Sequence, residues 1–220
     1  MRKIFIAIAA MLLCMTAGAQ SADWARTDRY AADNAQVTVR PKAVFMGDSI
    51  TDNWGNRTHP EFFPEHNFLG RGISGQTTAQ MLLRFRSDVI DLHPKYVVIL
   101  AGTNDIARNN GPIDHDKIVG NIISMCELAK ANRIKPVICS ILPAYRYGWR
   151  PEVTDAAEQV MEVNAMLEAY AKSARIPYVD YHSAMKDSRN GLPESYAQDG
   201  IHPNIDGYAV MEEIILKYLK

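Results

Sequence analysis

A three-layer α/β/α sandwich around a five-stranded parallel sheet is the architecture this chain predicts, and three observations carry it. Five short apolar runs are each closed by turn residues, and longer segments with helical periodicity separate them. The runs are continuous rather than alternating, which suits strands covered on both faces, as parallel strands are. The 220 residues, 47% of them hydrophobic, can fill one substantial core, and no internal repeat or low-complexity linker divides them. One α/β domain over residues 20–220 is the expectation.

Residues 1–19 stand apart from that domain. Arg2 and Lys3 precede an apolar run over residues 4–15, and Ala17, Gly18 and Ala19 offer small residues for cleavage. That is the layout of a secretory signal peptide. A membrane anchor needs about 20 apolar residues, more than this run holds. Cys14 follows Leu13, a larger residue than lipoprotein processing normally accepts, so it is read as part of the apolar run. The chain is therefore expected to be periplasmic or secreted, with no stable membrane insertion.

From there the elements follow in order. Residues 21–39, with Trp24, Tyr30 and Asn34 among alanines and charges, predict an amphipathic helix closing one side of the domain. Strands are predicted at 43–46, 67–72, 96–100, 136–141 and 177–180. Helices are predicted at 79–90, 115–132, 154–173 and 205–219.

Loss of Arg2 and Lys3 with the signal leaves 22 basic against 25 acidic side chains, a net charge of about −3. No basic block remains for nucleic acid or anionic lipid. Cys126 falls on an apolar helical face and Cys139 in an apolar strand. Two buried thiols are at least as consistent with that as a disulfide.

In an open parallel sheet, ligands bind beyond the carboxyl ends of the strands. Four short motifs converge there. Gly47-Asp48-Ser49-Ile50-Thr51 follows the first strand and offers a hydroxyl nucleophile, which needs an adjacent base. Read alone, it is equally a turn in which Ser or Asp caps a helix. Ile73-Ser74-Gly75-Gln76-Thr77-Thr78 follows the second strand, where Gly75 serves either a positive φ or a close backbone approach to substrate. Gly102-Thr103-Asn104-Asp105 follows the third strand and offers a side-chain amide donor. Asp199-Gly200-Ile201-His202-Pro203 precedes the last helix. Its carboxylate, three residues before the imidazole, can hold Nδ1–H and leave Nε2 free to take a serine proton. Asp180 and His182 are a competing pair, but Asp180 ends a strand and a structural role is favoured for both.

Together these residues resemble the SGNH/GDSL hydrolases, a flavodoxin-like α/β family. The pattern is closest to the branch of platelet-activating-factor acetylhydrolase-like and bacterial carbohydrate acetylesterase-like enzymes. The resemblance spans roughly residues 44–211. It implies Ser49, Asp199 and His202 as catalytic triad, and the Ser49 N–H, Gly75 N–H and Asn104 amide as oxyanion hole. Gln76 stands where this branch often carries Asp. The activity implied is carboxylic ester hydrolysis through an acyl-serine intermediate, with no metal or cofactor. No Gly-x-Ser-x-Gly elbow, no His-Glu-x-x-His and no Cys/His zinc spacing occurs to suggest another chemistry.

The substrate is less legible. Residues 144–150 are dense in aromatic and basic side chains, and Tyr145, Tyr147 and Trp149 are assigned to a pocket lip suited to stacking on a sugar. Trp54 and residues 59–64 are assigned to the opposite wall, and Asp48 to the pocket beside the nucleophile. No long apolar lid is present. O-acetyl esters on carbohydrate are the leading expectation, with a small-molecule or glycan partner. Lipid or thioester hydrolysis, and a non-catalytic carbohydrate-binding domain, are the alternatives. Turnover of nitrophenyl acetate separates enzyme from binder, and acyl-chain preference separates the two enzymes.

Overall fold

The computed structural model describes residues 23–220. The signal-peptide expectation for residues 1–19 lies outside them. The elements run α1 (Ala31–Ala35), β1 (Ala43–Gly47), α2 (Ser49–Asn53), a π-helical turn (Trp54–Thr58), α3 (Phe62–Glu65), β2 (Phe68–Gly72) and α4 (Thr78–Asp88). They continue with β3 (Tyr96–Leu100), α5 (Thr103–Ile106), α6 (His115–Ala131), β4 (Lys135–Cys139), α7 (Ala156–Ala174), β5 (Tyr178–Val179), α8 (Tyr181–Met185) and α9 (Ile205–Ile215). The five strands form one sheet in the order β2-β1-β3-β4-β5, and every neighbouring pair is parallel.

The continuous apolar runs are explained by the pleat, which sends successive side chains to opposite faces. Val44, Met46, Val97, Ile99 and Ile138 face one core, shared with α4, α6 and α7. Phe45, Val98, Leu100, Val137 and Cys139 face the other, shared with α2, α3 and α9. The central strands β1, β3 and β4 are thus buried on both sides, the edge strands β2 and β5 less completely, and the three-layer α/β/α fold is as the runs required. The chain leaves β1 for one neighbour, β2, and returns past it to the other, β3. That reversal is the topological switch point where such sheets open a crevice at their carboxyl ends.

Three expectations are corrected. The expected helix over residues 21–39 is not seen: in the described part of that span, residues 23–39, only Ala31–Ala35 is α-helical. Asp23 accepts the Thr27 and Asp28 N–H groups and Arg26 takes φ 52°, so local side-chain bonds turn the chain instead. β5 shrinks to two residues because Pro177 has no N–H and Asp180 turns away to cap α8. The last helix stops at Ile215. Cys126 and Cys139 are free and buried, and burial pushes the Cys126 thiol up to about 12. Among the described residues no helix is long and apolar enough to cross a membrane.

Candidate active site

The turn after β1 builds the first half of the site. Asp48 caps α2, its Oδ1 accepting the Ile50 N–H at 2.9 Å, and Ser49 is the first helical residue. The first N–H groups of a helix have no intrahelical acceptor, so the Ser49 N–H is a ready donor. Ser49 Oγ lies 2.9 Å from His202 Nε2, across 153 residues of sequence.

The loop before α9 builds the second half. His202 Nδ1 lies 2.6 Å from Asp199 Oδ2. The other carboxylate oxygen, Oδ1, accepts the N–H groups of Ile201 at 2.9 Å and His202 at 2.8 Å. Burial would raise this carboxyl, but the bonds from His202 and Ile201 outweigh it and hold it below its ordinary value. Asn204 caps α9 by accepting the Gly207 N–H, and the Tyr208 hydroxyl donates to Ile50 O at 2.7 Å. That bond ties the helix carrying the imidazole loop to the helix carrying the serine.

The donors come from two further loops. Gly75 has φ 81°, and a Cβ there would meet no protein atom within 4 Å. The backbone angle by itself calls for glycine, and the open space beside it is compatible with the second reading as well. Asn104 Oδ1 accepts from Asn109 Nδ2 at 2.8 Å, which turns the Asn104 amide nitrogen the other way. One of its hydrogens goes to Gln76 O at 3.0 Å. The second remains for a substrate oxygen. Ser49, Gly75, Asn104 and His202 line one open cleft of about 460 Å³ with Asn53, Arg57, Ser74, Asn109 and Trp149. A serine hydroxyl in contact with an imidazole, with amide and N–H donors around the same space, is the arrangement that acyl transfer to serine would use.

Comparison with known proteins points the same way. The GDSL-like lipase/acylhydrolase family matches residues 45–210. The chain belongs to that family. A GDSL-like lipase from Bacteroides thetaiotaomicron VPI-5482 is similar in structure at a TM-score of 0.86 and 48% identity, over 89% of this chain and 98% of that one. An acetylxylan esterase of Geobacillus stearothermophilus is 24% identical over 206 residues, 80% of this chain and 92% of its own length. The lipoprotein YqeF of Bacillus subtilis (strain 168) is 33% identical over 116 residues, 46% of this chain. The chain spans about half of that lipoprotein, 48% of its length.

As a GDSL-like acylhydrolase, the chain is an enzyme of carboxylic ester bonds, and the non-catalytic alternative falls. The pocket assignments need more correction. Trp54 is 1% exposed. It stacks between Phe62 and Tyr208 and donates to Glu212 at 2.8 Å, so it braces α9 against α2 from inside the core. Phe62 and Phe63 are buried beside it and His59 bonds Glu212, while Pro60, Glu61 and Pro64 are exposed, and none of residues 59–64 lines the cleft. Asp48 is buried beneath the serine as a helix cap, and burial raises its carboxyl to about 7. Tyr147 is buried, its hydroxyl accepting from Thr103 at 3.1 Å. Trp149 does line the cleft, 44% exposed, with its indole N–H on Asn109 Oδ1 at 3.0 Å. Tyr145 lies in an adjoining pocket with Arg146, Arg189 and the flank of Asp199.

Two contributors escaped the sequence. Asn109 joins Trp149, Asn104 and Gly75 through one amide. Arg84 is fully enclosed and bonds Gly47 O at 3.0 Å, Gln76 Oε1 at 2.6 Å and Asp88 Oδ2 at 2.9 Å. One guanidinium thereby locks the loop before Ser49 to the loop after Gly75. Its signal was present: Arg84 shares the inward face of a helix with Met81 and Phe85, and Asp88 follows four residues on.

Proposed function

We propose that this chain is an exported serine esterase that removes O-acetyl or other short acyl groups from carbohydrate. The observation that carries it is the continuous chain of contacts from Ser49 Oγ through the His202 ring to Asp199, opening on a cleft lined by amide and hydroxyl side chains. His202 Nε2 takes the hydroxyl proton as Ser49 Oγ bonds the ester carbon, and Asp199 stabilises the imidazolium. The negative oxygen of the tetrahedral intermediate is held by the Ser49 N–H, the Gly75 N–H and Asn104 Nδ2. On collapse the imidazolium returns its proton to the departing alcohol, leaving acyl-serine. Water then repeats the steps: His202 takes a water proton, hydroxide adds, and Ser49 leaves with that proton.

The choice of a short acyl group rests on the cleft. Its lining is amide, hydroxyl, imidazole and guanidinium, with one indole. Such groups can hydrogen-bond a sugar, and Trp149 is the one apolar side chain in the lining that an alkyl chain could lie against. The relative from Geobacillus is by name an esterase of an acetylated glycan. Export rests on the basic and apolar leader before the domain. The net charge of about −3 supports no nucleic-acid partner. The test is hydrolysis of nitrophenyl acetate against nitrophenyl octanoate, with acetate release from acetylated xylan beside it. The acetyl ester is expected to be preferred and acetate released. Preference for octanoate would move the reading to lipid esters or thioesters.

A further inference from the structure

The cleft holds one permanent charge, and nothing in the hydrolytic scheme uses it. Arg57 lines the cleft with Ser49, His202 and Trp149, and its side chain forms no hydrogen bond or ion pair among the described residues. Ser49, Asn53 and Arg57 stand four residues apart in turn. In an α-helix each such step overshoots a full turn by about 40°, which would carry Arg57 off the face of the serine. The chain instead widens to a π-helical turn over Trp54–Thr58, closed by the His59 N–H on Trp54 O at 3.0 Å. A π-turn rotates less per residue, so it swings Arg57 back over the serine.

The nearby acids are all engaged elsewhere. Asp52 accepts from Asn56 at 2.7 Å and from Ser74 at 2.8 Å. Asp199 is held by His202 and its own loop, and Asp48 is buried. Glu61, four residues after Arg57, forms no pair with it. No carboxylate lines the cleft. A planar guanidinium left without a protein acid, beside an indole fixed by Asn109, matches a ring bearing a carboxylate.

We infer that Arg57 is a specificity-determining residue that binds a carboxylate on the alcohol part of the substrate, so that the preferred ester is an O-acylated acidic sugar. The inference rests on the esterase reading above and adds the substrate's charge to it.

The test compares monoacetylated methyl glucuronoside with monoacetylated methyl glucoside at pH 7, with nitrophenyl acetate as a neutral reference. Wild type is expected to favour the acidic sugar in kcat/KM by about tenfold or more. That ratio should shrink in high salt, because the contact is exposed. Arg57→Gln should bring it towards one, Arg57→Lys should retain part of it, and Arg57→Glu should invert it. A wild-type ratio of one, or a ratio unchanged in Arg57→Gln, overturns the inference while turnover of nitrophenyl acetate keeps the esterase reading. Failure to hydrolyse any of the three esters overturns both.

Discussion

Asp199 and His202 stand three residues apart before α9, and Asp180 and His182 stand two apart at the end of β5. Both pairs combine a carboxylate with an imidazole, yet their fates differ. Asp199 divides its oxygens, one to the backbone of its own loop and the other to His202 Nδ1. The imidazole then projects Nε2 to Ser49. Asp180 gives one oxygen, Oδ1, to the Ser183 N–H at the start of α8, and no hydrogen bond joins its carboxylate to the His182 ring. His182 is only 6% exposed, its N–H donates to Ser140 Oγ, and its ring Nε2 has no partner among the described residues. Burial, helped by Lys186, lowers its pKa against the pull of Asp180. The lesson is that an Asp/His pair becomes a relay only when the turn aims the free carboxylate oxygen at the ring and the packing sets a hydroxyl against the ring's other nitrogen.

The largest test of that contrast exchanges function for stability. Ser49→Ala and His202→Ala should each lower kcat by about 10³-fold or more with the melting temperature unchanged. His182→Ala should leave turnover at the wild-type level and lower stability by about 1–3 kcal/mol, as loss of an enclosed side chain does. If His182→Ala removes turnover and His202→Ala does not, the assignment of the two pairs is reversed. A subtler version keeps size and removes charge. Asp199→Asn should lower kcat by about 10²–10⁴-fold through loss of the imidazolium partner, whereas Asp180→Asn, still able to cap a helix, should match wild type in both rate and melting temperature.

Asn104→Ala should come next, lowering kcat by about 10²-fold with little change in KM. A loss confined to KM would make Asn104 a binding group and leave the oxyanion to backbone donors.

The smallest effect concerns Asp48, a third carboxylate given to backbone capping. Its folded pKa of about 7 stands above the ordinary 3.8 because of burial. The folded state therefore holds its proton more tightly. The stability this contributes is fully present below pH 4 and is lost as pH rises through about 7. Asp48→Asn removes that loss and keeps the cap, so it should raise the melting temperature by roughly 3 °C or more at pH 8. The gain should shrink as the pH is lowered. An equal gain at pH 5 and pH 8 would mean that the carboxylate is not buried as a charge.

Much of this was legible in the chain because short-range chemistry writes itself into short motifs. A helix cap beside a nucleophile, a glycine at φ 81°, and a carboxylate within one turn of an imidazole are each set by neighbours a few residues away. Strand burial on both faces was legible for the same reason, since a continuous apolar run has no polar side to expose. The misplacements share the opposite cause. Trp54 and Tyr147 looked like cleft walls because an aromatic residue near a site reads the same whether it faces the cleft or the core. Their direction was settled by partners distant in sequence: Tyr208 and Glu212 for Trp54, Thr103 for Tyr147. Residues 21–39 misled because alanine and charge suit a helix, while Asp23 and Arg26 bend the backbone locally.

Residue types and their near spacing were thus enough to determine the parallel α/β fold and the chemical parts of the site. Only the tertiary structure decided how those parts meet: that His202 arrives 2.9 Å from Ser49, that Arg84 locks two loops, and that Arg57 faces the cleft without an acid. Distances between chain-remote groups are set by the packing of α9, α4 and the sheet against shared cores. Packing is a property of the whole surface, which no local run of residues contains.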